Sequence, residues 1–439
     1  MISFKDYNYY FQKISSYFIL TFIIVVTGFP FFYTSVKLIL VGMVLSGILF
    51  FLLNRKIDSV VVVVIGAFML IEILQAIFLH TFSLRTFAGT YVRLLFAYFV
   101  VKILGRDFID AYSDIIVTFS LISFFFFGLY FFSPGATEFI VNHIAILFDE
   151  RLEADVTDYY RYFPNILIYY YNGYGALHGD EYFRNSGPFW EPGAFACFII
   201  IALLLNILKG TNLFQLKNLI LITAVITTVS TAGIIALMAI LFFYFSVSEY
   251  SRLKFVLIFI IPYLIFLIYS EFAFLGEKIQ ENIMYGQSVY ADATTSRIGS
   301  AIIDIRDFMN SPLVGWGRGE MRYGGREYSI FSAQQHRNNG LTGLLAMYGF
   351  ILTAIYFYMY FRSFSGIVYQ FERRSFFKYA ALLVIFIIGF SQSLFIRPFF
   401  MCFLFLSAVY TLKPYETEDE TEDVTEISDS NDALSTVAK

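Results

Sequence analysis

Long apolar runs separated by short polar stretches follow one another along most of this chain. A run of about 20 apolar residues can cross the roughly 30 Å hydrocarbon core of a bilayer as one α-helix. The pattern predicts about twelve spans, over residues 15–33, 35–53, 58–80, 86–104, 112–132, 190–208, 214–230, 231–248, 254–275, 340–361, 377–396 and 397–412. We therefore expect residues 1–413 to form an all-α polytopic membrane domain.

Composition supports this class and separates the C-terminal end from the rest. The chain is 58% hydrophobic and 15% charged, which exceeds the apolar fraction that a soluble globular domain needs. Residues 414–439 differ, because they hold nine acidic residues and one lysine and show no apolar periodicity. We predict that residues 414–439 form a disordered, solvated acidic tail.

The short loops predict how the spans are oriented. One alternate set of loops carries most of the cations, namely Arg55, Lys56, Lys102, Arg106, Lys209, Lys217, Arg252, Lys254, Arg362, Arg373, Arg374 and Lys378. The other short loops carry Lys37, Arg85 and Arg397. Because cations are retained on the cytoplasmic side, the first set and both termini are predicted to be cytoplasmic. Two long loops, about 133–189 and about 276–339, are then external, and long loops are usually functional.

The first external loop ends in the segment RNSGPFWEPGAF, which leads into a span. Pro192 suits the first turn of a helix, and Glu191 lies at the favourable N-terminal end of the helix dipole. Two interpretations are open. In one, Glu191 caps the helix and Arg184 anchors the chain at the membrane interface. In the other, Glu191 is a catalytic base and Arg184 binds phosphate.

The second external loop contains an amphipathic segment and a glycine-rich turn. Apolar residues recur at helical spacing over 296–309, which predicts a helix at the membrane surface, with Arg297 on a polar face. Glycines alternate from 315 to 319 around Arg318. Glycine lets backbone amides approach an anion, and an adjacent guanidinium can bind phosphate. The alternative is a plain turn with a solvated arginine.

Polar residues also gather just before the helix predicted to begin near Gly340. His336 can exchange a proton near neutrality, and Arg337 and Asn339 add donors at a helix N-terminus. A purely structural loop histidine is the alternative.

Two charged residues fall inside predicted spans. Glu72 and Arg93 lie about 10–12 Å below the external ends of their helices, at a rise of about 1.5 Å per residue. Such residues face a partner or a cavity, so they either pair with each other or line a polar substrate cavity. Tyrosines cluster over 159–174, where they either stack on sugar rings or lie at the membrane interface.

Several common sites are missing from the sequence. We find no Cys/His spacing for zinc, no Asp-X-Asp pair, and no phosphate-binding or dinucleotide-binding fingerprint. The sequence therefore predicts no metal, no cofactor and no nucleic-acid partner.

The order of the external motifs resembles that of the O-antigen polymerase and O-antigen ligase superfamily of bacterial surface-polysaccharide enzymes. The resemblance is carried by three groups of residues: Arg184, Gly187, Glu191, Pro192 and Gly193; then Arg297, Ser311, Pro312, Leu313, Gly315 and Gly317; then His336, Asn339 and Gly349. In that family the histidine is commonly followed directly by asparagine. Here Arg337 and Asn338 intervene, and counting back from Gly349 puts Asn338 in the histidine's place.

This resemblance implies a metal-independent glycosyltransferase that uses an undecaprenyl-diphosphate-linked oligosaccharide as donor. A polymerase would move the growing O-antigen or capsular chain onto a new lipid-linked unit at the external face of the bacterial inner membrane. The alternatives are a ligase, which transfers the glycan to lipid A–core, and a flippase or transporter. A chain-length regulator and a flippase are implied as partners.

The expected site follows from that chemistry. Glu191 or His336 would orient or deprotonate the acceptor hydroxyl. The substrate contacts are expected to be Arg184, Arg297, Arg318, Arg337, Asn339 and, deeper in the membrane, Arg93. Cations placed where charge develops on the leaving diphosphate would stabilise the transition state.

Overall fold

The computed structural model describes residues 4–33, 35–79, 83–148, 164–171, 183–247, 297–318 and 338–412. Within these ranges the chain forms helices and no β-strand, apart from one isolated bridge between Asn165 and Tyr170. The predicted all-α class is therefore confirmed for the described part of the chain.

Thirteen α-helices occur in the described ranges. They are α1 (Phe4–Gly28), α2 (Val36–Leu52), α3 (Ser59–Leu79), α4 (Leu84–Leu104), α5 (Phe108–Phe132), α6 (Pro134–Phe139), α7 (Pro192–Lys209), α8 (Leu216–Thr227), α9 (Thr231–Val247), α10 (Arg297–Asn310), α11 (Gly340–Gln370), α12 (Phe376–Ser391) and α13 (Pro398–Met401).

Five helical segments of the described chain are long and apolar enough to cross a membrane. They are Tyr10–Gly28, Ser59–Leu79, Leu84–Phe132, Pro192–Lys209 and Gly340–Gln370. Four more apolar helices, α2, α8, α9 and α12, are shorter. The chain is thus an all-α, multi-pass membrane protein, while the count of twelve spans stays a prediction. The predicted span 254–275 lies outside the described residues.

Helix α7 is the centre of the bundle. Every residue from Ala194 to Leu208 is buried, and the helix packs against α5, α8, α9 and α11. A helix that is apolar on all sides is stable only when neighbours surround it. Helices α2 and α3, in contrast, expose apolar side chains such as Val62, Val63 and Leu70. In a bilayer these apolar side chains would contact lipid tails and would not be exposed to water.

Ion pairs gather at one end of the bundle. Lys102 Nζ lies 2.8 Å from Asp58 Oδ2, and Lys209 Nζ lies 2.5 Å from Asp110 Oδ1. Lys217 pairs with Asp114 at the start of α8. These lysines belong to the cation-rich loops, so their shared location agrees with the alternation that the sequence predicts.

The last predicted span, 397–412, does not form one continuous α-helix. Helix α13 is followed by two 3-10 turns, Cys402–Leu404 and Leu406–Ala408. Hydroxyl groups of α11 satisfy the backbone there, because Tyr360 donates to Phe400 O at 2.6 Å and Ser363 donates to Phe403 O at 2.7 Å. Here side-chain hydroxyl groups replace some of the backbone hydrogen bonds of a helix. Apolar periodicity does not reveal such bonds, so the sequence predicted one continuous helix.

The described parts of the first external loop contain local helical turns and a packed aromatic cluster. Helix α6 continues into a π-turn, Ile140–Ile144, and a 3-10 turn, Ala145–Phe148. Tyr169, Tyr171 and Phe183 form a small apolar cluster that packs on the end of α5. The rings of Tyr169 and Tyr171 are therefore used in packing and are not free to stack on a sugar.

The amphipathic helix predicted over 296–309 is confirmed as α10. Its inner face packs on α11, where Asp304 Oδ2 accepts a hydrogen bond of 3.0 Å from Thr342 Oγ1. Ile302, Ile305 and Met309 point outward and are exposed. An apolar stripe on this side suits contact with the membrane surface, as the sequence predicts.

Candidate functional site

The segment before α7 is held in place by a buried asparagine. The side-chain amide of Asn185 donates to Ser123 Oγ and to Thr227 Oγ1, both at 3.0 Å, and its Oδ1 accepts from the amide of Gly187. Gly187 has a φ of +51°, and a Cβ at this position would lie 2.7 Å from the ring of Phe195. The turn therefore requires glycine, and it directs the following residues to the end of the bundle.

Glu191 begins α7 but does not cap it with its side chain. Its backbone is extended, with φ −160° and ψ 159°, and Pro192 occupies the first helical position as predicted. Its carboxylate accepts a hydrogen bond from the amide of Gln392, and its Oε1 lies 3.9 Å from Arg297 Nη2. The capping interpretation is thus wrong, and the carboxylate belongs to a tertiary site.

The guanidinium of Arg297 is fixed by the end of α12. Arg297 Nε donates to the carbonyl of Ser391 at 2.7 Å. The side chains of Arg297 and Glu191 keep 30% and 36% of their surface exposed, so a ligand can reach both. Segments that are distant in sequence therefore bring one acidic and one basic side chain to the same solvent-accessible edge of the helix bundle.

Arg184 joins this edge. A small cavity of about 40 Å³ is lined by Arg184, Glu191 and Arg297, together with Ser230 and Thr231 at the start of α9. We call this the outer cavity. Two predicted substrate residues and one predicted catalytic residue, from both external loops, thus meet at one place.

An apolar groove adjoins the outer cavity. It has a volume of about 560 Å³ and shares Thr231 and Arg297 with that cavity. Its other walls include Ile235 of α9 and Phe386 and Phe390 of α12. A ligand with a charged head and an apolar tail could therefore place both parts here.

Arg397 is a site residue that the sequence analysis missed. Its guanidinium lies 4.1 Å from the ring centre of Trp190 and 5.0 Å from that of Tyr33, and Nη1 donates to Thr27 O at 2.8 Å. It is also close enough to Glu191 to interact with it electrostatically. Its partners come from distant segments, so no local pattern marked it.

Tyr170 lies next to this edge, where its backbone amide donates to Gly187 O at 2.8 Å. Burial raises the pKa of the Tyr170 hydroxyl above its ordinary value, and nearby Tyr33 and Glu191 add to the shift. The hydroxyl therefore stays protonated at neutral pH.

The glycine-rich turn docks into a break in α11. Gly349 has φ +68° and ψ −175° inside that helix. The carbonyls exposed by the break accept from the turn, with Trp316 N donating to Ala346 O at 2.9 Å and Gly317 N donating to Met347 O at 2.7 Å. The turn and the break thus complete each other's hydrogen bonds.

This docking overturns one prediction. The amides of Gly315, Trp316 and Gly317 are all bonded within the protein, the first to Ser311 O at 2.9 Å. They are not available for an anion. A Cβ on Gly315 would lie 2.5 Å from the backbone nitrogen of Gly349, so these glycines serve close backbone packing. Gly319 lies outside the described residues.

Arg318 extends from this turn to a second group of polar residues within the bundle. We call this group the inner polar cluster; its members are Glu72, Thr90, Tyr91, Arg93, Arg318 and Tyr348. Arg318 Nη1 donates to Thr90 Oγ1 at 3.0 Å. Arg318 and Arg93 therefore do not line the outer cavity with Arg184 and Arg297.

Glu72 and Arg93 do not pair with each other, so the pairing alternative is wrong. Arg93 Nη1 donates to Gly89 O at 3.2 Å instead. Arg93 lies close enough to Arg318 and to Arg397 to interact electrostatically with both. Arg397 is thus within electrostatic range both of the inner polar cluster and of Glu191.

The side chain of Asn339 makes contacts that stabilise the fold. Its Oδ1 accepts from the amides of Leu341 and Thr342, both at 3.1 Å, and so caps α11. Its Nδ2 is 3.5 Å from Arg297 O, which ties the cap to the start of α10. The two other predicted residues of this segment, His336 and Arg337, lie outside the described residues.

Comparison with models of known protein families and with curated proteins finds no match to this chain. Within the described ranges, no group of three or more His, Cys, Asp or Glu could hold a metal ion.

Proposed function

We propose that this protein is a polymerase of lipid-linked oligosaccharide repeat units. It would transfer a growing glycan from a polyprenyl diphosphate to a sugar hydroxyl of a second lipid-linked unit. The observation that carries this proposal is the outer cavity, where Arg184 and Arg297 flank the carboxylate of Glu191 beside an apolar groove.

The two arginines match the charged part of the donor. A guanidinium presents a planar array of donors that fits phosphate oxygens, and it stays charged at any relevant pH. Arg297 Nε donates to the carbonyl of Ser391, Nη2 lies 3.9 Å from Glu191 Oε1, and the side chain lines the cavity. Developing negative charge on the leaving diphosphate would be stabilised at this edge.

The reaction is a substitution at the anomeric carbon. The acceptor hydroxyl oxygen forms a bond to that carbon, and the bond from carbon to the diphosphate oxygen breaks, with its electron pair leaving on the diphosphate. The hydroxyl proton passes to the Glu191 carboxylate. Gln392 and Arg297 hold Oε1 of that carboxylate, so Oε2 is the oxygen proposed to accept the proton. Direct displacement inverts the anomeric centre.

The groove beside the cavity supports a lipid-linked donor. Its apolar lining, which includes Ile235, Phe386 and Phe390, would accommodate the first isoprene units of the carrier. Burial of such a chain gains about 25 cal/mol per Å² of apolar surface. Arg297 lines both the groove and the cavity, so the boundary between lipid and diphosphate would fall at this residue.

The proposed topology places this site outside the cytoplasm. We propose twelve spans, both termini in the cytoplasm, and a location in the bacterial inner membrane. The ion-paired end of the bundle, with Lys102, Lys209 and Lys217, would face the cytoplasm. Glu191 and Arg297 lie at the opposite ends of the helices, where an exported lipid-linked unit would arrive.

Arginine substitutions in a gene-deletion strain test the proposal. We expect Arg184→Ala and Arg297→Ala, expressed from a plasmid, to abolish the ladder of long surface glycans on a gel. Arg306→Ala is the matched control, because Arg306 is exposed on the same helix as Arg297. Membrane immunoblots must show equal amounts of all three variants.

The deletion strain itself separates the alternatives. In a host that makes lipopolysaccharide, loss of a polymerase leaves one repeat unit on lipid A–core. Loss of a ligase leaves long chains on the carrier lipid, and loss of a flippase traps short units inside. A normal ladder in both Arg184→Ala and Arg297→Ala would contradict the proposed site.

A further inference from the structure

The inner polar cluster contains three buried polar atoms without a hydrogen-bond partner among the described residues. They are Glu72 Oε2, Tyr91 OH and Tyr348 OH, and all three are shielded from solvent. Glu72 and Tyr91 are neighbours, but no hydrogen bond of normal geometry joins them. Buried polar atoms without partners are rare, because losing water without replacement is unfavourable. Three of them in one cluster indicate that something else supplies their partners.

Packing fixes the directions of these groups. The Tyr348 ring is fully buried and lies 5.3 Å, centre to centre, from the ring of Phe68. The Tyr91 ring lies 4.5 Å from that of Phe87. Neither hydroxyl can therefore turn to water by a small movement of its side chain.

The mixture of charges selects the class of ligand. A carboxylate oxygen that is free to accept would repel an anion, so phosphate alone fits the cluster poorly. The guanidinium groups of Arg93 and Arg318 would repel a metal cation. A sugar carries hydroxyl groups that both donate and accept, and it can satisfy Glu72, the two phenols and the arginines together.

The location connects the cluster to the proposed reaction. Glu72 is seven residues from the end of α3 and Tyr348 eight residues from the start of α11, so each lies about 10–12 Å from that end of its own helix. Arg397 is close enough to Glu191 and to Arg93 to interact electrostatically with both, so the two sites are near each other. A sugar could thus reach the cluster while its reacting end stays at Glu191.

We infer that Glu72, Tyr91, Tyr348, Arg93 and Arg318 form a buried sugar-binding subsite, which holds one residue of the oligosaccharide repeat unit. The inference rests on the proposed function. It assigns Arg93 and Arg318 to sugar rather than to diphosphate, which is left to Arg184 and Arg297.

Two tyrosine substitutions in one helix separate binding from structure. Tyr348→Phe removes a hydroxyl that no described residue bonds, so we expect an unchanged or higher Tm in detergent. Tyr356→Phe is the control, because Tyr356 OH donates to Phe395 O at 2.7 Å, and we expect a lower Tm there. A substantial fall in the Tm of Tyr348→Phe would mean that its hydroxyl is bonded within the protein, and would overturn the inference.

Binding is measured on purified full-length protein with two separate probes. The first is the host's repeat-unit oligosaccharide, released from its carrier lipid, and the second is inorganic pyrophosphate. We expect Tyr348→Phe and Glu72→Gln each to weaken binding of the oligosaccharide about tenfold, the effect of one lost hydrogen bond of about 1.4 kcal/mol. Binding of pyrophosphate should be unchanged in both variants and lost in Arg184→Ala.

The two probes also separate the inference from the proposed function. Equal affinity of the oligosaccharide for wild type and both variants, or no binding to wild type, would overturn the subsite. Loss of pyrophosphate binding in Tyr348→Phe would overturn it as well, because the cluster would then be an anion site. If Arg184→Ala binds pyrophosphate as well as wild type does, that result would count against the proposed function instead.

Discussion

At the outer cavity, the side chain of Glu191 is oriented by residues from distant segments of the chain. Gln392 is buried and donates its amide to Glu191, while Arg297 approaches the same oxygen. The carboxylate is therefore oriented by a hydrogen bond from Gln392 and by an ion pair with Arg297. This support distinguishes Glu191 from an ordinary acidic residue at a helix N-terminus.

Gln392→Glu tests that support. Two carboxylates that face each other resist being ionised together, so the pair would retain a proton to higher pH. A base must be deprotonated to act, and the acid limb of the pH–rate profile should therefore move upward by about one unit or more. The measurement is glycan transfer in membrane vesicles from about pH 4 to 9, a range that includes the ordinary glutamate pKa of about 4.3 and higher values.

Gln392→Met provides the comparison, because it removes the donor without adding a charge. It should slow transfer while leaving the acid limb near its wild-type position. Identical profiles for Gln392→Glu and wild type would count against Glu191 as the proton acceptor.

At the scale of elements, the decisive feature is the interlock of the 311–317 turn with the break in α11. The break exposes backbone groups that the turn then satisfies, including Phe350 N, which donates to Pro312 O at 2.7 Å. Buried backbone groups without partners are costly, so neither part is stable without the other. The interlock also places Arg318 and Tyr348 next to each other.

Gly349→Ala should disrupt this interlock. A Cβ there would lie 2.3 Å from Leu313 O, and the backbone has a conformation that only glycine adopts readily. We expect a loss of about 2–3 kcal/mol or more in stability, seen as a lower Tm in detergent.

The control is Gly66→Ala in α3, where no atom of the described residues lies within 4 Å of a new Cβ. It should be neutral or stabilising by up to about 1 kcal/mol, because alanine is the better helix former. Equal Tm values for the two variants would contradict the role given to Gly349.

At the scale of the whole molecule, the two ends of the bundle differ in chemistry. One end carries lysines paired with aspartates, such as Lys102 with Asp58, and the other carries Glu191 and Arg297 beside a cavity. Orientation in the membrane therefore decides whether the cavity meets exported or cytoplasmic substrates.

Cysteine labelling tests the orientation without further changes, because the native Cys197 and Cys402 are both buried. Arg85→Cys and Lys56→Cys place exposed thiols at opposite ends of α3 and α4. We expect a membrane-impermeant maleimide to label Arg85→Cys in intact spheroplasts, and Lys56→Cys only after lysis. The reverse pattern would place the outer cavity in the cytoplasm and remove the basis of the proposed function.

The sequence by itself determined the all-α membrane class, the start of α7 at Pro192 and the amphipathic helix α10. These features depend on apolar periodicity and on the local chemistry of proline and charged residues, which act over a few neighbouring positions. Any structure that this chain adopts in a bilayer must satisfy them, so they can be read before the fold is known.

Only the tertiary structure decided which polar residues meet. It brought Arg184 and Arg297 to Glu191, and it placed Arg318 at Thr90 in the inner polar cluster instead. It also gave the glycines of the 311–317 turn a role in backbone packing, where the sequence had suggested anion binding. It also made Asn339 a helix cap. The physical reason is that a side chain's role depends on which distant groups compete for its hydrogen bonds, and neither spacing nor composition records that competition.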